Sequence, residues 1–243
     1  MKIRIKFRKD GIMKFIGHLD MMRYFQKALK RAQIPVCYTG GFSPHMIMSF
    51  ASPLGVGLTS DGEYLDVEVE SMVSCTEGVK RLNEVMPEGL EILSFRKIPE
   101  EKSQKAMSLV AAADYEVRFR LGKEPRLEPK ESPLSLSEAF AGFLAQPQIL
   151  VTKKSKKSQQ ELDIRPFIYK AQAEEDLIFL RLSAGSVTNI KPELVLEAFF
   201  QYLGQTMEPF SLLIHRRELY ACPESTEKGD RLFVSLENLG SIF

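Results

Sequence analysis

Between Ile3 and Phe7 apolar and basic residues alternate, which predicts a strand with one apolar face and one solvated face carrying Lys2, Arg4, Lys6 and Arg8. Asp10-Gly11 marks a turn, and Asp20 is the expected N-cap of a helix. Met21, Met22, Phe25, Leu29 and Ala32 fall roughly at helical spacing and leave Arg23, Lys27, Lys30 and Arg31 toward solvent until Ile34-Pro35 ends the run. Extended segments at Val36–Tyr38 and Met46–Phe50 flank Gly40-Gly41-Phe42-Ser43-Pro44. Glu63–Glu70 alternates as a strand, Thr76–Met86 predicts a second helix and Leu90–Lys97 a closing strand. The order is βαββαβ, a ferredoxin-like unit of about a hundred residues.

The same order starts again after residue 113. Tyr115–Leu121 alternates, Ser135–Ala145 is amphipathic, Gln148–Thr152 and Ile164–Ala173 are extended, and Leu177–Leu182 returns as a strand. Lys191-Pro192-Glu193 opens a helix that buries Leu194, Val195, Ala198, Phe199 and Tyr202 and stops at Gly204, before a last strand at Phe210–His215. The expected fold class is therefore α+β, as two tandem ferredoxin-like (βαββαβ) domains. Residues 1–101 form the first and 114–222 the second, with a linker at 102–113. Residues 223–243 are expected as a C-terminal appendage packed loosely on the second domain.

The chain has 243 residues, 33 basic against 32 acidic, and a formal charge of +1, which argues against indiscriminate coating of nucleic acid. The local distribution is different. Residues 1–35 hold ten basic side chains against Asp10 and Asp20, and Lys153, Lys154, Lys156, Lys157, Arg165 and Lys170 face only Glu161 and Asp163 in a second cluster. Clustered cations with aromatic neighbours suit a phosphate backbone, with Tyr38, Phe42 and Tyr169 available for base stacking. The competing reading is ordinary solvated surface.

Three dispersed cysteines, Cys37, Cys75 and Cys222, build neither a zinc knuckle nor an iron-sulfur cluster, and they suit a reducing cytosol. The start of the chain has no apolar h-region, no stretch reaches the ~18 apolar residues of a membrane span, and cofactor signatures such as GxGxxG are absent. A cytoplasmic protein with no cofactor and no membrane partner is expected.

The most unusual local sequence is Phe15-Ile16-Gly17-His18-Leu19-Asp20, with His45 in Gly41-Phe42-Ser43-Pro44-His45. A glycine at a helix start leaves the backbone open to an anion, and a histidine there can donate to it or move a proton. Against this stands a reading in which His18 and Asp20 cap locally and His45 packs.

These motifs resemble those of the radical SAM-linked protein family, a bacterial domain fused to or encoded beside radical SAM proteins. The resemblance rests on Phe15-x-Gly17-His18-Leu19-Asp20 with Arg23, and on Pro35-Val36-x-Tyr38-x-x-Gly41-Phe42-Ser43-Pro44-His45. It continues through Ser49-Phe50-Ala51-x-Pro53-Leu54-Gly55-Val56, Glu63-Tyr64-Leu65-Asp66, Thr152-Lys153-Lys154 and Asp163-Ile164-Arg165-Pro166. Lys27, Met46 and Ser155 depart from the pattern, and an ammonium at position 27 replaces a planar guanidinium. The resemblance implies a companion to a radical SAM enzyme in RNA or ribosome-related metabolism. The chain itself lacks the Cys-x-x-x-Cys-x-x-Cys motif of such an enzyme.

Three functions follow as expectations. The first is an RNA-binding or substrate-presenting module, probed by structured RNA such as tRNA or rRNA, in which Lys14, Arg23, Lys27, Lys153, Lys154, Lys156, Lys157 and Arg165 take phosphates while Gly17, Gly41 and Phe42 shape a pocket. The second is a metal-independent endoribonuclease with His18 and His45 as catalytic groups. A variant of that reading makes Asp20, Glu63 and Asp66 metal ligands with a histidine. The third is a protein-binding adaptor for the radical SAM partner through Phe42, Met46 and Met48.

Overall fold

The alternation at the amino terminus forms strand β1 (Lys2–Lys9), which pairs antiparallel with β3 (Thr59–Glu68) on one side and β4 (Leu90–Ile98) on the other. This computed structural model describes residues 1–72, 74–101, 105–127, 134–154, 159–223 and 231–243. The chain divides into two units: Met1–Ala112 with Arg216–Phe243, and Ala113–His215. Each is a mixed α+β assembly, the sheet pairing is mostly antiparallel, and the described residues contain five α-helices.

In the first unit, helix α1 (His18–Arg31) buries Met21, Phe25, Ala28 and Leu29 against Ile3, Ile5 and Phe7, the odd-numbered face of β1. The Phe7, Phe25 and Phe50 rings meet at 4.7–6.0 Å in tilted and edge-on contacts. Strand β2 (Met48–Phe50) pairs with β3. Helix α2 (Cys75–Asn83) is capped by Ser74, whose hydroxyl accepts from the Glu77 amide, and starts one residue before the Thr76 that the periodicity predicts. Helix α1 also starts early. Gly17 in extended conformation is the cap, and Asp20 lies in the first turn, where its charge favours the helix dipole and pairs with Arg23 at 3.2 Å.

The even-numbered face of β1 corrects the expectation of a solvated basic patch. Arg4 is 1% exposed and forks onto Asp66 at 2.8 and 3.0 Å, and its Nη1 donates to the Leu236 carbonyl. Lys6 Nζ donates to Glu218 at 2.7 Å and to Glu237 at 3.3 Å. Arg8 bridges Asp61 and Glu91, both at 2.6 Å, and Lys2 lies 3.9 Å from Glu68. A period-two pattern says only that two faces differ, and here the polar face is covered by other carboxylate-bearing segments.

Part of that cover comes from the end of the chain. Strand β10 (Leu212–Ala221) contributes Arg216 and Glu218 to this unit, and β11 (Val234–Ser235) pairs with Tyr220 and Ala221. A 3-10 turn at Leu236–Leu239 brings Glu237 beside Lys6 and Arg96. Ser241 then exchanges two backbone hydrogen bonds with Lys97 at 2.8 and 2.9 Å. Residues 231–243, expected on the second domain, thus belong to the first unit. The expected linker also carries structure, a short helix α3 (Ala106–Leu109) running into β5 (Val110–Phe119). The Ala106 amide donates to Asp66 at 2.7 Å.

The second unit holds α4 (Leu136–Leu144), the hairpin β6 (Leu150–Lys154) and β7 (Gln159–Asp163), then β8 (Ile168–Glu174), β9 (Leu177–Ser183) and α5 (Pro192–Tyr202). Strands β8 and β9 pair antiparallel, and β9 neighbours β5. A Ser135–Glu138 capping box starts α4, and Phe140, Phe143 and Phe199 join α4 to α5 with ring centroids 5.1–5.7 Å apart. Arg181 forks onto the buried Asp114 at 2.7 and 2.8 Å. Asp163 organises the base of the hairpin by accepting from the Ile149 and Arg165 amides at 2.9 and 3.0 Å. No helix among the described residues is long and apolar enough to cross a membrane.

Gly62 lies where β3 meets β10, and a Cβ there would stand 2.6 Å from Glu218 Cα and 2.7 Å from the Arg217 carbonyl. Gly62→Ala should therefore cost about 1–3 kcal/mol in chemical denaturation, because the obstruction is backbone. A second expectation concerns acid. Burial pushes the Glu237 carboxyl up, but its hydrogen bonds and the charges of Lys6 and Arg96 outweigh that and leave it below the ordinary value of 4.5. A depressed folded-state value contributes stability above pH about 4.5, lost as pH falls through the folded value. Hydrogen-exchange protection factors at Lys97 and Ser241 should fall in that window, and Glu237→Gln should remove this pH-dependent component.

Candidate nucleic-acid interface

The Gly-His segment is set by what lies beneath it. Lys9 is 3% exposed, and its ammonium donates to the Ile16 carbonyl at 2.8 Å, immediately before Gly17. Burial pulls the Lys9 pKa down, the Glu63 carboxylate opposes this, and Arg216 reinforces it. Arg216, also 3% exposed, donates to both Glu63 oxygens at 2.6–2.9 Å and to the Ser52 carbonyl at 2.6 Å. The Gly57 amide donates to the Lys14 carbonyl at 2.8 Å. One buried cluster of two cations and a carboxylate therefore holds both the 14–17 and the 52–57 loops. His18 itself is exposed and meets the Phe50 ring edge-on at 5.2 Å.

His45 has a different setting. Thr39 and His45 close a loop: the Thr39 amide donates to the His45 carbonyl at 2.9 Å, and the His45 amide donates to Thr39 Oγ1 at 3.1 Å. His45 Nδ1 lies 3.2 Å from that hydroxyl and 3.3 Å from the Ser43 carbonyl. At the tip, Gly41 has φ +98°, a conformation L side chains rarely adopt, and Phe42 is fully exposed. Among the described residues no hydrogen bond joins His18 to His45; each has its own partners. The buried Met46 packs in the core, so the apolar surface for a protein adaptor is Phe42 without Met46.

Between Gly11 and His45 the basic residues lie on and before α1. Lys27 and Lys30 are exposed with no ion-pair partner among the described residues, and Arg23 meets only Asp20, in a pair whose side chains are 70% and 68% exposed. Lys14 Nζ sits 5.3 Å from the centre of the Phe15 ring. Phe15 and Leu19 are each 63% exposed. Phe15 ends a 3-10 turn (Gly11–Phe15), Ile16 and Gly17 are extended, and residues 19, 23 and 27 then recur along α1 at the four-residue spacing that lines one helix face.

On the second unit, Lys153 and Lys154 belong to β6 and pair in register with Gln160 and Gln159. Lys156 and Lys157 lie outside the described residues. Arg165 Nε donates to the Leu144 carbonyl at 3.0 Å, at the last turn of α4, which gives this guanidinium a local structural contact. The metal alternative meets a chemical obstacle. Asp20 pairs with Arg23, Glu63 with Arg216 and Asp66 with Arg4, and no group of three or more His, Cys, Asp or Glu among the described residues is placed to hold a metal ion.

A family model described as "Uncharacterized protein conserved in bacteria (DUF2344)" matches residues 2–192. The chain belongs to this family. The matched span contains the Gly-His loop, α1, the Phe42 loop, the β6–β7 hairpin and both Lys9 and Glu63 of the buried cluster. Arg216, Glu218 and Glu237 lie beyond it. Among curated proteins none matches the chain.

Sequence reasoning overlooked Lys9 and Arg216 as supports of the site. The signal for Lys9 was its parity: it follows Ile3, Ile5 and Phe7 at odd positions, so a cation stands on an apolar face and needs a buried partner. Removing the shared partner leaves two desolvated cations. Glu63→Gln should destabilise the fold by about 3–5 kcal/mol in denaturant titration, whereas Asp20→Asn, at an exposed pair, should change stability little.

Proposed function

We propose that the chain is an RNA-binding or substrate-presenting accessory protein of a radical SAM enzyme, working in the cytoplasm in tRNA, rRNA or ribosome-related metabolism. The observation that carries the RNA reading is the contrast between two basic elements of one unit. On β1 the cations are neutralised by carboxylates, whereas Lys14, Lys27, Lys30 and the exposed Arg23 of α1 remain available beside two exposed apolar side chains. From Gly11 to His45 there are five basic residues and one acid, Asp20. Such a surface attracts phosphate without base selectivity. Phe42, on its closed loop, offers a further ring for a base.

The radical SAM partner rests on the resemblance of the Gly17-His18, Gly41–His45 and Asp163–Pro166 motifs to the radical SAM-linked proteins. We further propose that both units are ferredoxin-like. Support comes from the neighbour order β4-β1-β3-β2 in the first unit, with α1 and α2 as its two helices. In the second the order is β10-β5-β9-β8, with α4 and α5 as helices and the β6–β7 hairpin inserted.

Fluorescence anisotropy with tRNA and rRNA fragments across a salt series tests the RNA reading. Affinity should fall steeply with salt, and Lys27→Glu with Lys30→Glu should weaken binding to all sequences and reduce the slope by roughly two. Arg8→Gln should leave binding unchanged. Weak binding that ignores salt removes the proposal. Co-purification with the radical SAM protein, with and without RNase, separates a direct protein contact from one bridged by RNA.

A further inference from the structure

We infer that the RNA taken at α1 is an unpaired stretch, with a base stacked on Phe15 and successive phosphates met by Lys14, Arg23 and Lys27. This rests on the RNA reading above and goes beyond it by naming the form of the ligand. A duplex buries its base faces and offers chiefly phosphates and groove edges, so lysines and arginines alone would serve it. An exposed aromatic ring adds affinity only where a base face is free.

The α1 approach has both components in a fixed relation. Phe15 is 63% exposed although it precedes a helix whose other face is core, and Lys14 lies over its ring at 5.3 Å. A base on the open side of the ring would therefore have a phosphate-binding ammonium beside it. Leu19, in the first turn of α1 after the extended Ile16-Gly17 step, is a second exposed apolar side chain, and Arg23 and Lys27 continue its helix face with positive charge. This ordering, apolar at the start of α1 and cationic along it, complements a strand whose base is stacked at one end while its backbone runs along the helix.

The platform is also held rigid, which limits the ordering cost of binding. The Lys14 carbonyl is fixed by the Gly57 amide, and the Ile16 carbonyl by the buried Lys9 ammonium. Thus residues on both sides of Phe15 are tied down while its side chain stays uncovered.

Anisotropy with a short oligouridylate and a blunt RNA duplex of matched length, using the full chain, tests this. The single strand should bind more tightly, Phe15→Leu should weaken it roughly five- to a hundredfold, and Phe15→Tyr should restore it. Duplex binding should not respond to Phe15→Leu. If the duplex binds as well as the single strand, or Phe15→Leu leaves single-strand affinity unchanged, the inference fails and the RNA reading stands. If neither probe binds, the RNA reading falls and this inference with it. Thermal melting of Phe15→Leu should match the parent chain because the ring is exposed; a large loss of stability would refute the free platform.

Discussion

Desolvated cations need partners, and in the first unit that requirement organises everything around β1. Arg4 and Lys9 are almost wholly buried and Lys6 partly so, so β3, β10 and the 3-10 turn before the carboxyl end must bring Asp66, Glu63, Glu218 and Glu237 to them. The same pairing explains the phenol of Tyr64. Burial and then the Glu218 carboxylate, which accepts its hydrogen bond at 2.6 Å, drive its pKa well up and keep it a donor. Glu218 thereby serves Lys6 and Tyr64 together, and its own strand cannot leave without exposing both.

Charge pairing of this kind supplies order as well as energy. Each partner satisfies a lone buried charge and simultaneously fixes a backbone carbonyl: Arg4 that of Leu236, Lys9 that of Ile16, Arg216 that of Ser52. Carbonyls in irregular segments otherwise lack ladder partners. The loops around Gly17 and Pro53 thus gain a rigid footing from groups that never reach the surface, and the exposed residues of the proposed interface inherit it.

The two basic stretches of the first unit show why a count of charges does not locate function. Strand β1 and helix α1 look alike by composition, yet one is an internal network and the other an open surface. What separates them is coverage. A strand in the middle of a sheet has a second face that other segments can roof over, whereas among the described residues Leu19, Arg23, Lys27 and Lys30 on the outer face of α1 stay exposed. The RNA proposal therefore rests on α1 and its approach, and owes nothing to Lys2, Arg4, Lys6 or Arg8.

Local pattern determined most of the elements. The alternation of Ile3–Phe7, the spacing of Met21, Phe25 and Leu29, and the Pro192 start and Gly204 stop of α5 each appear as strand or helix, because these signals depend on neighbours within a turn or two. The unusual character of Gly17-His18 and Gly41-Phe42 was legible too. Tertiary structure alone decided which charges were spent, since the partners of Lys6 and Arg216 lie 212 and 153 residues away in sequence. It also decided that residues 231–243 close the first unit, through contacts such as Leu236 with Arg4 at a separation of 232. Sequence pattern records the local preferences of backbone and side chain; burial and pairing across such distances exist only once the chain has folded.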